Sequence, residues 1–215
     1  MMRVTVLKAP KAGGVSAIVR YLDPGAPERS GPGGYYTETP DPPGRWWGAA
    51  CAAVGLAGEV EPEQLERMLE ARHPLDGRRL GRKFGESSAR AYDATFSAPK
   101  SVSLLWALSP DEHIRAEVIA AHDAAVEATL GWLEEHGCVT RRGKDGVHQV
   151  DAHGLTVALF RQHTSRMLDP QVHTHAVIWS KVQDPTGAWL ALDARFLLKQ
   201  QFTMSWLYDA ALRVS

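Results

Sequence analysis

The 215-residue sequence has little cysteine. Only Cys51 and Cys138 are present, far apart, and no CxxC pair occurs. This excludes a disulfide-rich framework and a thiolate-rich zinc site. Two isolated, semi-buried thiols in a reducing compartment are the simpler interpretation.

Long apolar runs are also missing. The first residues, MMRVTVLKAPKAGG, lack the apolar core of a signal peptide. No stretch approaches the roughly 20 apolar residues that cross a bilayer. We therefore expect no membrane segment and a cytoplasmic location.

An excess of charge of either sign is absent as well. With 24 Lys and Arg against 25 Asp and Glu, the formal net charge is −1 and the pI is about 6.8. Net charge therefore gives no support for nucleic-acid binding, although one basic groove can coexist with acidic surfaces elsewhere. A hydrophobic content of 44% and this length suit one sizeable globular domain.

Hydrophobic patterning predicts interleaved strands and helices. The predicted strands are 2–8, 93–99, 154–163, 172–183 and 188–193, and the main predicted helices are 16–22, 100–108, 110–137 and 194–214. Ser109 is the predicted N-cap of the long helix, with Pro110 at its first position. The adjacent C-terminal strands favour an α+β fold with a mainly antiparallel central sheet flanked by helices.

Histidines in two neighbouring strands suggest a metal site. His173 and His175 lie two residues apart, so in a strand both project from one face. His163 ends the preceding strand, and a short connection would bring it close. Three imidazoles with an open position can hold zinc, or Mn²⁺ or Mg²⁺ when phosphate oxygens complete the site. The plainer interpretation of the HxH pair is two solvent-facing histidines.

An aspartate and three tyrosines are candidates for chemistry. Asp93, at the start of DATFSAP, can accept a hydrogen bond from a ligand imidazole or act as a general base. A tyrosine phenol ionises near pH ~10, so Tyr21, Tyr35 or Tyr36 needs a base or a cation nearby to act as a nucleophile. Packing is the default role of such aromatic residues.

Basic residues are the candidates for phosphate contacts. A solvated surface is the usual explanation of such runs. The candidates are Arg78, Arg79, Lys83, Lys100, Arg161 and Arg166, together with the run 141–144.

Three blocks, in order, resemble one family. FRQHTSRMLDPQVHTHAV (160–177) resembles the histidine signature of the MobF-type conjugative relaxases, the TrwC/TraI group of the HUH endonucleases. DATFSAPKSVSLLWAL (93–108) is similar to their aspartate segment, and RWWGAACAAVGLAGEVEPEQLERML (45–69) to the segment after their tyrosines. Three ordered blocks are far more specific than a lone HxH.

The resemblance implies a DNA strand transferase. In this family a divalent cation, held by three histidines on a central antiparallel sheet, polarises a scissile phosphate at the origin of transfer. A tyrosine attacks that phosphate, leaving a 5′-phosphotyrosyl bond and a free 3′-OH for later rejoining. The implied partners are single-stranded DNA, other relaxosome proteins and a helicase domain in the full-length protein.

The resemblance also implies roles for individual residues. Tyr21 resembles the first catalytic tyrosine, and Tyr35 or Tyr36 the second tyrosine pair. Asp93 resembles the acidic residue that orients a ligand histidine and helps to activate the phenol. His173 and His175 resemble two of the metal ligands.

The sequence departs from the family pattern at Gln162. The usual first histidine follows the Phe-Arg pair directly, but Gln162 occupies that place and His163 comes one residue later. A one-residue shift reverses the face of a side chain in a regular strand. We expect either a bulge that lets His163 reach the metal or an amide oxygen from Gln162, and we favour His163 because imidazole binds these metals better.

The sequence leaves the extent of the domain and the choice between several functions undecided. Residues 1–215 are expected to form one relaxase domain, truncated at its C-terminus. A rolling-circle replication initiator of the HUH class, a zinc hydrolase and a non-catalytic DNA-binding remnant are the alternatives.

Overall fold

A computed structural model of the chain describes residues 1–9, 14–22, 41–165 and 167–214. The strands are β1 (Met2–Lys8), β2 (Arg45–Trp47), β3 (Ala89–Ser97), β4 (Val139–Arg142), β5 (His148–Asp151), β6 (Val157–Thr164), β7 (Pro170–Trp179), β8 (Lys181–Gln183) and β9 (Trp189–Ala191). The helices are α1 (Ser16–Leu22), α2 (Pro62–Leu69), α3 (Lys100–Leu108), α4 (Glu112–Gly137), α5 (Arg195–Lys199) and α6 (Gln201–Val214).

Five of these strands form one antiparallel sheet in the order β1-β3-β7-β6-β2. The pairs β4-β5 and β8-β9 form separate two-stranded ribbons. The α+β class with a central antiparallel sheet flanked by helices is therefore confirmed. In the described parts of the chain, no helix is both long enough and apolar enough to span a lipid bilayer.

The two faces of the sheet have different roles because side chains alternate along each strand. One face packs against α4 and α6 through a core that includes Phe96, Leu130 and Ile178. The other face packs near one end on α1 and α2, where Leu22 and Met68 are buried. Beyond this second core, the same face carries polar residues around a cleft.

The long helix begins differently from the prediction. Asp111, not Ser109, is the N-cap, and its carboxylate accepts a hydrogen bond from the His113 backbone N–H at 2.9 Å. Ser109 Oγ instead accepts one from the Asp111 N–H at 3.2 Å. A carboxylate at this position also interacts favourably with the positive end of the helix dipole, which explains the shift of the cap.

Two predicted continuous elements are divided in the structure. The strand expected over 172–183 is broken at Ser180, and its second part, β8, pairs with β9 rather than with the main sheet. The helix expected over 194–214 is split into α5 and α6 at Gln200.

Three buried side chains form a hydrogen-bonded network on the helical face of the sheet. His122 of α4 bonds through Nδ1 to the Tyr208 hydroxyl of α6 and through Nε2 to the Thr174 hydroxyl of β7, each at 2.8 Å. Burial, followed by the charge of Arg161, lowers the pKa of His122 to about 3, so the imidazole is neutral. This hydrogen-bonded network attaches β7 to both α4 and α6.

Candidate active site

A cleft of about 970 Å³ lies on the face of the sheet that α1 and α2 cover only in part. Its walls include Tyr21 from the end of α1, Asp93 from β3, Gln162 from β6, and His173 and His175 from β7. Strand order explains this meeting, because β3 and β6 are the two neighbours of β7 in the sheet.

His175 is held by an aspartate on the neighbouring strand. Its Nδ1 lies 2.8 Å from Asp93 Oδ2, and both side chains are buried. The Thr95 hydroxyl is 3.4 Å from the same Nδ1 and from Asp93 Oδ1. Because a carboxylate accepts the Nδ1 proton, Nε2 of His175 keeps its lone pair for another partner.

His173 has the same tautomer for a different reason. Its Nδ1 donates to the backbone carbonyl of Gln171 at 2.9 Å. Burial lowers the pKa of His173, while this backbone bond opposes the shift. The rings of His173 and His175 have centroids 5.3 Å apart at 72°. In both rings Nδ1 is already engaged, so Nε2 is the nitrogen left to bind another partner at the cleft.

Tyr21 lies beside this pair at the end of α1. The helix is fixed to the core by Ile18, Val19 and Leu22, which are buried, whereas the Tyr21 side chain is 49% exposed. The ring of Tyr21 meets that of His175 edge to face, with centroids 5.8 Å apart at 75°. A solvent-accessible phenol is thus placed next to the aspartate-bound imidazole.

Gln162 completes the polar wall. It lies directly opposite His173 across the β6-β7 pair, and its side chain lines the same cleft. Its Nε2 donates to the Leu22 carbonyl at 3.2 Å. The amide oxygen is then the remaining acceptor of Gln162, and the bond connects the histidine strands to the helix that carries Tyr21.

His163 does not reach this cleft, which corrects the expectation that a bulge brings it there. Its ring stacks on Trp106 of α3, with centroids 4.6 Å apart at 12°, and its Nδ1 is 3.1 Å from Asp41 Oδ1. The β6-β7 register does shift here, but two β7 residues, Gln171 and Val172, face His163 alone. The alternation along β6 is kept, so His163 points to the helical face.

The donors at the cleft are therefore two imidazoles and one amide. Among the residues that the structure describes, no three His, Cys, Asp or Glu side chains are grouped to hold a metal ion. A glutamine oxygen beside two nitrogen donors is nevertheless a chemically suitable set for a divalent cation, since such oxygens bind hard metals. The donor set fits a metal.

Comparison with known proteins agrees with this geometry. Residues 15–215 match the sequence model of the family described as TrwC relaxase. The chain belongs to the TrwC relaxase family.

Two curated relatives of this relaxase-family chain are multifunctional conjugation proteins named TraI. One, from Escherichia coli, is 38% identical over 162 residues, which cover 74% of this chain and 9% of that protein. The other, from Escherichia coli strain K12, is 39% identical over 153 residues, covering 70% of this chain and 8% of that protein. The chain thus spans less than a tenth of the length of these relatives.

Solved structures of TrwC are similar over nearly the whole chain. A metal-bound complex of conjugative relaxase TrwC with oriT DNA has a TM-score of 0.79 and 30% identity, covering 99% of this chain and 68% of that one. A copper-bound complex with oriT DNA has a TM-score of 0.80 and 30% identity, covering 99% and 69%. A complex with a 27-mer comprising the recognition hairpin and the cleavage site has a TM-score of 0.75.

Two residues that were predicted to contact DNA form ion pairs away from the cleft of this relaxase-family chain. Lys100 forms an ion pair with Asp169 and donates to the Pro170 carbonyl at 2.9 Å. Arg161 forms an ion pair with Asp123 of α4, on the face opposite the cleft. The structure does not bring either residue to Tyr21 and the histidine pair.

The other predicted contacts also lie away from the cleft or outside the described residues. Arg78, Arg79 and Lys83 are exposed in the segment between α2 and β3 and do not line the cleft. Arg78 lies 3.3 Å from the carboxylate of Asp76. Tyr35, Tyr36 and Arg166 lie outside the described residues. DNA contact by these residues stays a prediction.

Sequence reasoning missed two cationic residues of the cleft wall, Arg3 and Arg20. Arg20 directly precedes Tyr21 in α1, a signal that was available in the sequence. Arg3 lies in β1, and only the pairing of β1 with β3 brings it to this side of the site.

Proposed function

We propose that this chain is the catalytic region of a conjugative relaxase, which nicks one DNA strand at an origin of transfer and stays attached to its 5′ end. The observation that carries the proposal is the placement of Tyr21, whose exposed phenol ring lies edge to face with His175 in the cleft. Membership of the TrwC relaxase family supports a transfer nickase over a replication initiator or a small-molecule hydrolase.

We further propose that a divalent cation binds between Nε2 of His173, Nε2 of His175 and the amide oxygen of Gln162. Metal-bound and copper-bound structures of the similar TrwC support a metal requirement. Mg²⁺ or Mn²⁺ is the proposed physiological ion, with zinc as the alternative, because an amide oxygen favours harder cations. A cation held by these residues would supply positive charge that offsets the negative charge of the scissile phosphate.

The side chains of the cleft then have separate tasks. Asp93 keeps the proton of His175 on Nδ1, so that Nε2 faces the cleft. The Gln162 bond to the Leu22 carbonyl holds the end of α1, and with it Tyr21, against the histidine strands. Both interactions fix geometry before DNA arrives.

The proposed reaction is an in-line exchange of one ester bond for another. The Tyr21 hydroxyl loses its proton and attacks the phosphorus, forming an Oη–P bond while the P–O3′ bond breaks. The departing 3′ oxygen gains a proton and becomes a free 3′-OH. Since a phosphotyrosyl diester replaces the phosphodiester, the reverse attack by a 3′-OH rejoins the strand.

The proposed partners follow from the relatives rather than from the contacts of this chain. TrwC is solved in complex with oriT DNA, which supports single-stranded DNA at an origin of transfer as the substrate. A helicase domain in the full-length protein and other relaxosome proteins are proposed partners in the cytoplasm, where plasmid DNA is found.

A covalent-adduct assay tests the proposed function. Incubation of the protein with a labelled single-stranded oligonucleotide from its own plasmid's transfer origin and Mn²⁺ or Mg²⁺ is expected to give a band that survives denaturing electrophoresis. A chelator is expected to suppress it. A folded protein that binds this DNA but gives no adduct with any divalent metal would instead be a non-catalytic binding remnant.

Replacement of Gln162 by histidine tests the third ligand. Because imidazole suits Zn²⁺ better than an amide oxygen does, Gln162→His is expected to raise Zn²⁺ affinity on the order of ten-fold or more. Mn²⁺ affinity should change much less. Isothermal titration of tag-free protein without DNA measures both constants.

A matched change at His163 is the control. His163→Phe keeps an aromatic ring against Trp106 and is expected to leave metal affinity unchanged, since His163 lies on the opposite face of β6. If His163→Phe loses metal binding and Gln162→His has the metal affinities of the wild type, the third ligand is His163 and not Gln162.

A further inference from the structure

The cleft is lined by two arginines that have no role in the proposed metal site or in the attack by Tyr21. Arg3 projects from β1 and Arg20 from α1, both are exposed, and both line the cleft that contains Tyr21. Their neighbourhood shows what each can contact.

Arg3 lies in the same cross-strand row as a proposed metal ligand. It is paired with Thr95 of β3, and Thr95 is paired with His175 of β7. Two strand spacings of about 4.8 Å place the Arg3 and His175 backbones about 10 Å apart. A long arginine side chain can span most of that gap along the cleft wall.

Arg20 reaches the cleft from α1 rather than from the sheet. It is the residue before Tyr21, in the last turn of α1. Although adjacent helical residues point in different directions, the side chains of both Arg20 and Tyr21 line the cleft. Arg3 and Arg20 thus line the same cleft as Tyr21 and His175, one from β1 and the other from α1.

No carboxylate neutralises either arginine within the described ranges. Neither Arg3 nor Arg20 forms an ion pair there, whereas Arg161 and Lys100 are each matched by an aspartate. Asp93, the acidic residue of the cleft wall, is buried and bonded to His175. Among the described residues of the cleft wall, the positive charges of these two arginines thus have no carboxylate partner, which suits a polyanion.

We infer that Arg3 and Arg20 form a phosphate-binding pair that holds the backbone of the DNA strand in the cleft, close to the cleaved bond. The inference rests on the proposed function, because it names the contacts through which that same cleft takes single-stranded DNA. Guanidinium groups bind phosphate oxygens through paired hydrogen bonds, and such contacts are independent of base sequence.

The salt dependence of binding to a mixed-sequence, fluorescein-labelled single-stranded oligonucleotide tests the pair. Anisotropy is measured over a series of KCl concentrations in chelator, so that no cleavage occurs. Each lost phosphate contact flattens the plot of log K against log salt by about 0.7 for a single strand. Arg3→Ala and Arg20→Ala should each show that change, and the double variant about 1.4.

Charge-preserving and distant variants are the controls. Arg3→Lys and Arg20→Lys should keep the wild-type slope because each retains a cation. Arg213→Ala, an exposed arginine at the end of α6, should also keep it. A double alanine variant whose slope equals those of the wild type and Arg213→Ala would overturn the inference.

The two proposals fail separately. If the wild type forms a covalent adduct with its cognate DNA and the double alanine slope is unchanged, the phosphate-binding pair is wrong and the nicking function stands. If the slope flattens but the wild type never forms an adduct, the pair stands and the nicking function is wrong.

Discussion

Tyr21→Phe is expected to abolish the covalent DNA adduct. The change removes one oxygen atom, and the ring can keep its edge-to-face contact with His175. Loss of a nucleophile reduces the rate by a factor on the order of 10³ or more, so no adduct should accumulate with the cognate oligonucleotide. Denaturing electrophoresis measures the adduct, and anisotropy should show DNA affinity close to that of the wild type.

The other tyrosines provide the matched control. A variant with Tyr35→Phe and Tyr36→Phe is expected to form the first adduct at a rate similar to that of the wild type. If Tyr21→Phe retains the adduct and this variant loses it, the primary nucleophile is Tyr35 or Tyr36.

His175→Ala is expected to remove most of the metal affinity. His175 offers Nε2 to the cleft from a ring that Asp93 holds in place, and the substitution deletes that donor. Changes of groups that only orient a ligand cost about 10- to 100-fold, so removal of the ligand should cost at least about 100-fold. Isothermal titration with Mn²⁺, without DNA, measures the effect independently of activity.

A graded variant separates binding from folding. Asp93→Asn leaves both imidazoles present and weakens only the charge-assisted hydrogen bond, so affinity should fall about 10- to 100-fold, less than in His175→Ala. Circular dichroism should show folded protein in both cases. Wild-type Mn²⁺ affinity in a folded His175→Ala protein would contradict the proposed metal site.

Local patterns were sufficient for much of the fold and for part of the site. The alternation around His173 and His175 predicted two side chains on one face, and the structure places both in the cleft. Asp93 was expected to accept a hydrogen bond from a ligand imidazole, and it bonds to His175. The first feature depends on spacing within one strand, which the sequence displays directly, whereas the role of Asp93 was favoured because its segment resembles the family's aspartate segment.

Other features depend on three-dimensional relations that no local pattern contains. The choice between Gln162 and His163 required knowing that two β7 residues absorb the register shift opposite His163. The stacking surface for His163, Trp106, comes from a helix more than 50 residues earlier. Arg3 is recognised as a residue of the cleft only when β1 is known to be the edge strand beside β3.

The buried connection through His122 has a consequence for the rigidity of β7. Thr174 lies between His173 and His175 in the chain. Its hydroxyl is hydrogen-bonded, on the helical face of the sheet, to the uncharged imidazole of His122, which is also hydrogen-bonded to Tyr208. The backbone that presents both histidines is thereby braced against the two long helices independently of any cation or DNA. Contacts on the helical face of the sheet therefore hold the two histidines in position, so the proposed metal site would lose little conformational entropy on binding its cation and DNA.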